Sequence, residues 1–349
     1  MSVIVPARNE EASLGACLES LAGQTGMNFE IILVNDASTD RTREIAHSFA
    51  SVIVVDAEPL PAGWTGKNNA MAAGAGIARG EWLLFTDADT VHLPGSLAGA
   101  VTEARQQKAS LLSYSPEQEV RGFWEKAVMP VIFAELAATY RPSLVSDSRS
   151  PAAAANGQYI LVAREAYDAI GGHAAVSGSL LEDVALAKAV KVSGRRIFFR
   201  FGGDAVRTRM YRSFSQLCEG WTKNLALLFA SPARLVVLRL IEFVLIAGGA
   251  AAAVAALLRG HLKPALVSAA VAVTIYGFLL NRVRRAHFSW PATALSPAGL
   301  PLFAYLLLRS KLSYRQGRVR WKGRTYGSGT NHPKADAIIK AQPVERSSA

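Results

Sequence analysis

The sequence predicts an α/β domain on a mixed, mostly parallel sheet, followed by a C-terminal region of membrane helices. Over residues 1–114, short β-branched runs alternate with helical patterns, the mark of βαβ units. Beyond about residue 230 the mixed composition gives way to long apolar blocks through 308. Half of the 349 residues are hydrophobic, yet 19% are charged, which fits neither a pure helical bundle nor an ordinary soluble enzyme.

The expected strands are 3–5, 31–34, 52–55, 82–85 and 109–114, with helices over 10–22, 39–49, 66–78 and 95–106. In a parallel sheet the polar segments after successive strands collect along one edge, where α/β folds bind ligands. These segments are Pro6-Ala-Arg-Asn-Glu-Glu11, Asn35-Asp-Ala-Ser-Thr-Asp40, Gly63-Trp-Thr-Gly-Lys-Asn-Asn69 and the turn holding Asp87 and Asp89. Two acids released at the end of Trp82-Leu-Leu-Phe85 suit a divalent cation, Mg2+ or Mn2+, that completes its shell with water and phosphate. Read alone, the same turn equally suits a polar cap for the helix near Pro94. Asp36 fits a base or ribose contact or a plain turn; Lys67, beside Gly66 at a helix start, fits a phosphate or bulk solvent. Arg8 has the same two readings.

Taken in order, Val5-Pro-Ala-Arg-Asn-Glu-Glu11, Val34-Asn-Asp-Ala-Ser-Thr-Asp40 and Thr86-Asp-Ala-Asp89 resemble glycosyltransferase family 2, which has the GT-A nucleotide-sugar-binding fold. Gly63-Trp-Thr-Gly-Lys67 narrows the likeness to membrane members associated with hopanoid and carotenoid glycosylation. The resemblance covers about residues 1–230 and, more loosely, the apolar part. It implies a catalytic domain over 1–230, with 1–114 binding the nucleotide sugar and 115–230 serving the acceptor and an interfacial helix. On the donor side it implies Pro6, Arg8, Glu10, Asp36 at the nucleobase, Lys67, and Asp87 at the nucleotide. Asp89 would hold the metal that bridges the diphosphate.

Within 115–230, a strand is expected over 157–163, then a helical piece ending at Gly171-Gly-His173, then Leu180-Leu-Glu-Asp-Val-Ala-Leu-Ala187. Glu182 and Asp183 open a helix there, where dipole complementarity alone favours acids. An inverting transferase, however, needs one carboxylate to take the acceptor's proton. In the resembling family the second acid of the pair does so, which assigns Asp183 as general base. Arg207 and Arg209 suit the donor diphosphate or lipid phosphates, and His173 suits the sugar pocket or a turn. Leu217-Cys-Glu-Gly-Trp221 keeps only the Trp of the Gln-x-x-Arg-Trp motif of processive polysaccharide synthases, which disfavours that rival. Trp221 is either a donor-side contact or an interfacial anchor.

Three apolar blocks follow, near 235–258, 264–280 and 288–308. The first two are read as spans joined by an external loop over 259–263, and the third, with Pro291, Pro297 and Pro301, as a broken re-entrant or interfacial segment. Together they form a membrane region over 231–310, followed by a basic tail, 311–349, whose last nine residues are expected to be disordered. The basic runs at 281–285 and in the tail belong in the cytoplasm. The formal charge of +11 therefore points to anionic headgroups rather than nucleic acid. Cys17 and Cys218 match no metal spacing and suit a reducing compartment. No secretory signal is evident, and Met1–Pro6 runs straight into a strand, as in a chain that starts later than its relatives. The expectation is a multi-pass protein of the inner plasma membrane, its catalytic part cytoplasmic, moving a sugar from a UDP-linked donor to a lipid. The rival of another class is an inactive nucleotide-sugar-binding scaffold.

Overall fold

The computed structural model describes residues 1–326. They form two compact units, one of Met1–Glu119 with Tyr140–Met210, the other of Val120–Thr139 with the chain from Tyr211 onward. In chain order the elements begin β1 (Ser2–Ala7), α1 (Leu14–Ala22), β2 (Glu30–Asn35), α2 (Thr42–His47), β3 (Val52–Asp56), α3 (Gly66–Ile77) and β4 (Trp82–Phe85). There follow β5 (Thr90–His92), α4 (Ser96–Gln106), β6 (Leu111–Ser115), β7 (Glu117–Gln118), α5 (Phe123–Thr139), α6 (Pro142–Ser146), β8 (Ile160–Ala163) and α7 (Arg164–Ala169). The α/β unit closes with α8 (Glu182–Val192), β9 (Ile197–Phe201) and β10 (Val206–Thr208).

Seven strands make one sheet in the order β3-β2-β1-β4-β8-β6-β9. Val3, Ile4 and Val5 of β1 and Ile32, Leu33 and Val34 of β2 are fully buried, because helices cover both faces and no polar alternation is required. β1 pairs in parallel with β2, Val3 opposite Ile31, and with β4, Ile4 opposite Phe85. α3 lies so close to this pair that a Cβ at Gly74 would stand 2.6 Å from Ile4 Cγ2 and 3.0 Å from Val34 Cγ2. β8 alone runs against its neighbours, antiparallel to both β4 and β6. Its N-terminal end therefore emerges at the edge where β1, β2 and β4 end. A small second sheet sets β10 antiparallel to β5, Thr208 opposite Thr90, and parallel to β7.

The mostly parallel sheet is as expected, and the first four strands fall within two residues of their predicted limits. The helix over 10–22 starts only at Leu14, because residues 8–13 form a loop in which Asn9 takes φ +53°. That over 39–49 shrinks to the six residues of α2. β5, β7, β9 and β10 were not expected.

The second unit adds to α5 the helices α9 (Phe214–Leu228), α10 (Pro232–Leu258), α11 (Leu262–Val283), α12 (Trp290–Ala294) and α13 (Ser296–Arg315), then a hairpin of β11 (Val319–Trp321) and β12 (Arg324–Tyr326). Two helices, Pro232–Leu258 and Leu262–Ala286, are long and apolar enough to cross a membrane, and most of their surface is unburied. At about 1.5 Å per residue the first is about 40 Å long. The third apolar block divides into α12 and α13, and α13 is packed inside the unit. Leu300, Phe303, Leu306 and Leu307 are all buried, and Gly299 sits so close to Ala127 of α5 that no side chain fits. Four charges are gathered from three helices: Arg282 lies 3.2 Å from Glu135 and 2.8 Å from Glu242, which also takes Arg239 at 2.5 Å. Part of the predicted tail, 311–326, completes α13 and the hairpin; the expected disorder at 341–349 lies outside the described residues.

Candidate active site

The loops after β1 and β2 are laced together. Arg8 Nη1 donates to the carbonyls of Asp36, at 2.7 Å, and Ala37, at 3.1 Å. The backbone N–H groups of Asn9, Glu10 and Glu11 donate to Ser38, Thr42 and Asp40 side chains at 3.1, 2.7 and 3.1 Å. Burial opposes ionisation of Asp40, but hydrogen bonds from Thr42 and Glu11 outweigh it and hold the carboxyl below its ordinary range. Asp36, 7% exposed, directly follows β2 with its N–H on Ala7 O. Pro6 lies opposite Val34 in the sheet, and Glu10 takes the Ser13 hydroxyl at 3.1 Å at the head of α1. Arg8 and Glu10 thus shape the loop that presents Asp36.

The Asp87/Asp89 turn rests on a buried polar network that the sequence reading missed. Thr86 Oγ1 donates to Gln158 O at 2.8 Å, and Thr90 Oγ1 donates to Asp87 O at 2.8 Å. His92 Nε2 lies 3.1 Å from Thr86 Oγ1; burial pushes its pKa down to about 3, so the ring is neutral. Thr208 Oγ1 donates to Asp89 O at 3.2 Å and in turn accepts from Gln158 Nε2 at 3.2 Å. The only sequence signal was the pair of threonines flanking Asp-Ala-Asp.

Donor-side and acceptor-side acids meet at Lys67. Its Nζ lies 2.7 Å from Asp87 and 2.8 Å from Glu182, the latter carboxylate only 7% exposed. Burial alone would lower the Lys67 pKa; the two carboxylates reverse that and hold it above the usual range, so the ammonium stays charged. Asp183, next along α8, accepts from Gly157 N at 3.0 Å and Val184 N at 2.8 Å. Burial first, then the neighbouring Glu182, raises its pKa to about 6. A side chain at Gly157 would stand 3.0 Å from Lys67 Nζ, 3.4 Å from Glu182 and 3.5 Å from Asp183, so a methyl there would press on the lysine end of the cluster. Gly157 arrives just ahead of the reversed strand β8. Tyr140, 8% exposed, lies near enough that Asp183 adds to burial in raising its phenol pKa.

Four more of the expected residues lie as follows. His173, 1% exposed, packs edge-on to Phe85 with centroids 4.6 Å apart and meets the Tyr167 hydroxyl at 2.9 Å. It supports β4 from the core, near enough to Glu182 and Lys67 to feel both charges, and burial drives its pKa down to about 3. Trp221 is buried as well. It is 3% exposed in the second unit, its Nε1 on Met129 Sδ at 3.2 Å and its ring against Phe133 and Tyr211. Arg207 pairs with Glu117 at 2.7 Å across β10 and β7. Arg209, half-buried, follows β10 one residue beyond the Thr208–Thr90 pair, on the Asp89 side.

Among the described residues no three acids, histidines or cysteines cluster as a closed metal site. Asp87 and Asp89 on one pinned turn nevertheless fit a hard divalent cation that takes one or two carboxylates and draws its other oxygens from water and substrate.

The family model "Glycosyl transferase family 2" matches residues 2–168. The 4,4'-diaponeurosporenoate glycosyltransferase of Staphylococcus aureus (strain MRSA252) is 28% identical over 335 residues, 93% of this chain and 88% of its own length. Mannosyltransferase PcManGT from Pyrobaculum calidifontis, solved in complex with GDP-Man and Mn2+, has a similar fold. Its TM-score is 0.50 at 18% identity, covering 89% of this chain and 86% of that one.

Proposed function

We propose, for a chain that is a family 2 glycosyltransferase of GT-A fold, a membrane-bound inverting transfer of a sugar from a nucleotide donor, UDP-hexose by preference, to a lipid. One observation carries the mechanism: Lys67 ties the donor-side Asp87 to Glu182, and Asp183 stands beside them. Asp36 holds the nucleobase end of the donor, and Asp87 the nucleotide. Asp89 holds Mg2+ or Mn2+, which when bound supplies Lewis-acid stabilisation of the diphosphate charge. The acceptor oxygen attacks the anomeric carbon from the face opposite the diphosphate. The bond from that carbon to the diphosphate oxygen breaks, the nucleoside diphosphate leaves, and Asp183 takes the proton of a hydroxyl acceptor; a carboxyl acceptor, already ionised near neutral pH, attacks as the carboxylate and gives up no proton. A raised pKa suits a base that must accept a proton near neutral pH.

The acceptor we favour is isoprenoid-derived and carries a hydroxyl or carboxyl, in line with the carotenoid acid in the name of the Staphylococcus relative. α10 and α11 anchor the chain in the inner plasma membrane, with the α/β unit in the cytoplasm. Nothing in the cluster favours a nucleic-acid partner.

The test is transfer of label from radiolabelled UDP-glucose, then other nucleotide sugars, into organic-extractable lipid by membranes holding the full chain. Label should require metal and, into a hydroxyl acceptor, fall by about 100-fold or more in Asp183→Asn, while nucleotide binding persists. Equal labelling by the variant, or labelling that ignores chelator, would remove Asp183 or the cation from the mechanism. Nucleotide binding with no transfer to any host lipid would favour the scaffold.

A further inference from the structure

At the starts of α5 and α9 three aromatic rings touch. Phe123 and Trp124 have centroids 5.0 Å apart, and Trp124 and Phe214 5.5 Å. They are 53%, 45% and 46% exposed. Single exposed aromatics need no explanation, but three in contact make an apolar patch that water covers at a cost. The exposure is built, because both helix starts are fixed by side-chain caps. Arg121 N donates to Glu125 Oε2 at 2.9 Å. In α9, Ser213 Oγ accepts from Gln216 N at 3.2 Å, while Gln216 Oε1 accepts from Arg212 N at 2.9 Å, a reciprocal cap.

Segments 120–126 and 211–216 carry Arg121, Lys126 and Arg212 against one acid, Glu125, which is buried; an exposed acid, Glu119, immediately precedes the first segment. We infer that this aromatic and basic patch is a docking surface for an anionic phospholipid bilayer, its rings at the headgroup boundary and its cations on lipid phosphates. Aromatics with Lys and Arg in excess over acids are the composition of that boundary, whereas protein interfaces are poor in Lys. The chain also leads there: α9 ends three residues before α10, a candidate span of the same unit. The inference rests on the membrane reading of α10 and α11 but on no step of sugar transfer.

The test places the full chain in lipid nanodiscs with an environment-sensitive fluorophore on Ser215→Cys, beside Phe214. A second probe on Leu245→Cys of α10 reports insertion of the hairpin, and native Cys17 and Cys218 are buried. In discs containing phosphatidylglycerol, the Ser215 probe should be quenched about twofold or more by lipids spin-labelled near the headgroup. That quenching should weaken in pure phosphatidylcholine discs and in the triple variant Arg121→Gln, Lys126→Gln, Arg212→Gln. A Ser215 probe open to aqueous iodide while the Leu245 probe is quenched deep in the bilayer overturns the docking surface alone. Both probes aqueous overturns the membrane reading with it. A Ser215 probe shielded from iodide yet deaf to lipid quenchers assigns the patch to a protein partner and also overturns the inference.

Discussion

At the scale of single residues, the site turns on three carboxylates arranged around one ammonium. Asp183 is the member that burial and the Glu182 charge drive toward protonation, to about 6. A base works only when ionised, so transfer to a hydroxyl acceptor should decline as pH falls through about 6. In Glu182→Gln the like charge is gone while the amide still reaches Lys67, so the acid limb should move to lower pH. The check is the pH dependence of label transfer at saturating donor; an unmoved limb would mean that Glu182 does not act on Asp183. The roles proposed for Asp87, Asp89 and Asp183 came from the sequence only through the family likeness, since each had an equally good reading as a turn or cap. Thr86 and Gln158 were not, because their bond joins residues 72 positions apart and leaves no local pattern. The surroundings of His173 were hidden for the same reason: a histidine after two glycines reads as a turn or a pocket residue, and only packing against Phe85 makes it core.

At the scale of elements, the sheet's first half could be read directly, because each strand is a β-branched run bounded by polar turns. The direction of β8 could not, since periodicity is the same read either way, and the three short strands of the small sheet are too brief to show any. The fit of α3 on the sheet gives a paired prediction. Gly74→Ala forces a methyl to within 2.6 Å of Ile4 and should destabilise the unit by about 1–3 kcal/mol, offset in part by better helix propensity. Gly76→Ala, whose new methyl meets nothing within 4 Å, gains propensity alone and should stabilise by up to about 1 kcal/mol. Thermal unfolding of the two variants in the same detergent should move the midpoint in opposite directions.

At the scale of the whole molecule, the membrane reading proposed for α10 and α11 gives two spans, which return the chain to the side it left. Arg239 near the start of α10 and Arg282 near the end of α11 pair with the same Glu242, so the two helices have their charged ends together. The turn at 259–261 then faces outward. A membrane-impermeant maleimide should label His261→Cys in intact cells and Lys108→Cys only after permeabilisation. Labelling of Lys108→Cys in intact cells would place the α/β unit outside and deny it cytoplasmic nucleotide sugar. Within the described residues the chain also passes from one unit to the other three times, after Glu119, after Thr139 and after Met210. No single stop codon therefore yields the α/β unit by itself. Ending translation at Glu119 discards Gly157 and Asp183, while ending it at Met210 keeps α5 without α9 and α13, its apolar side chains bare to solvent. A fragment meant for crystallisation would have to be excised at two places in the gene.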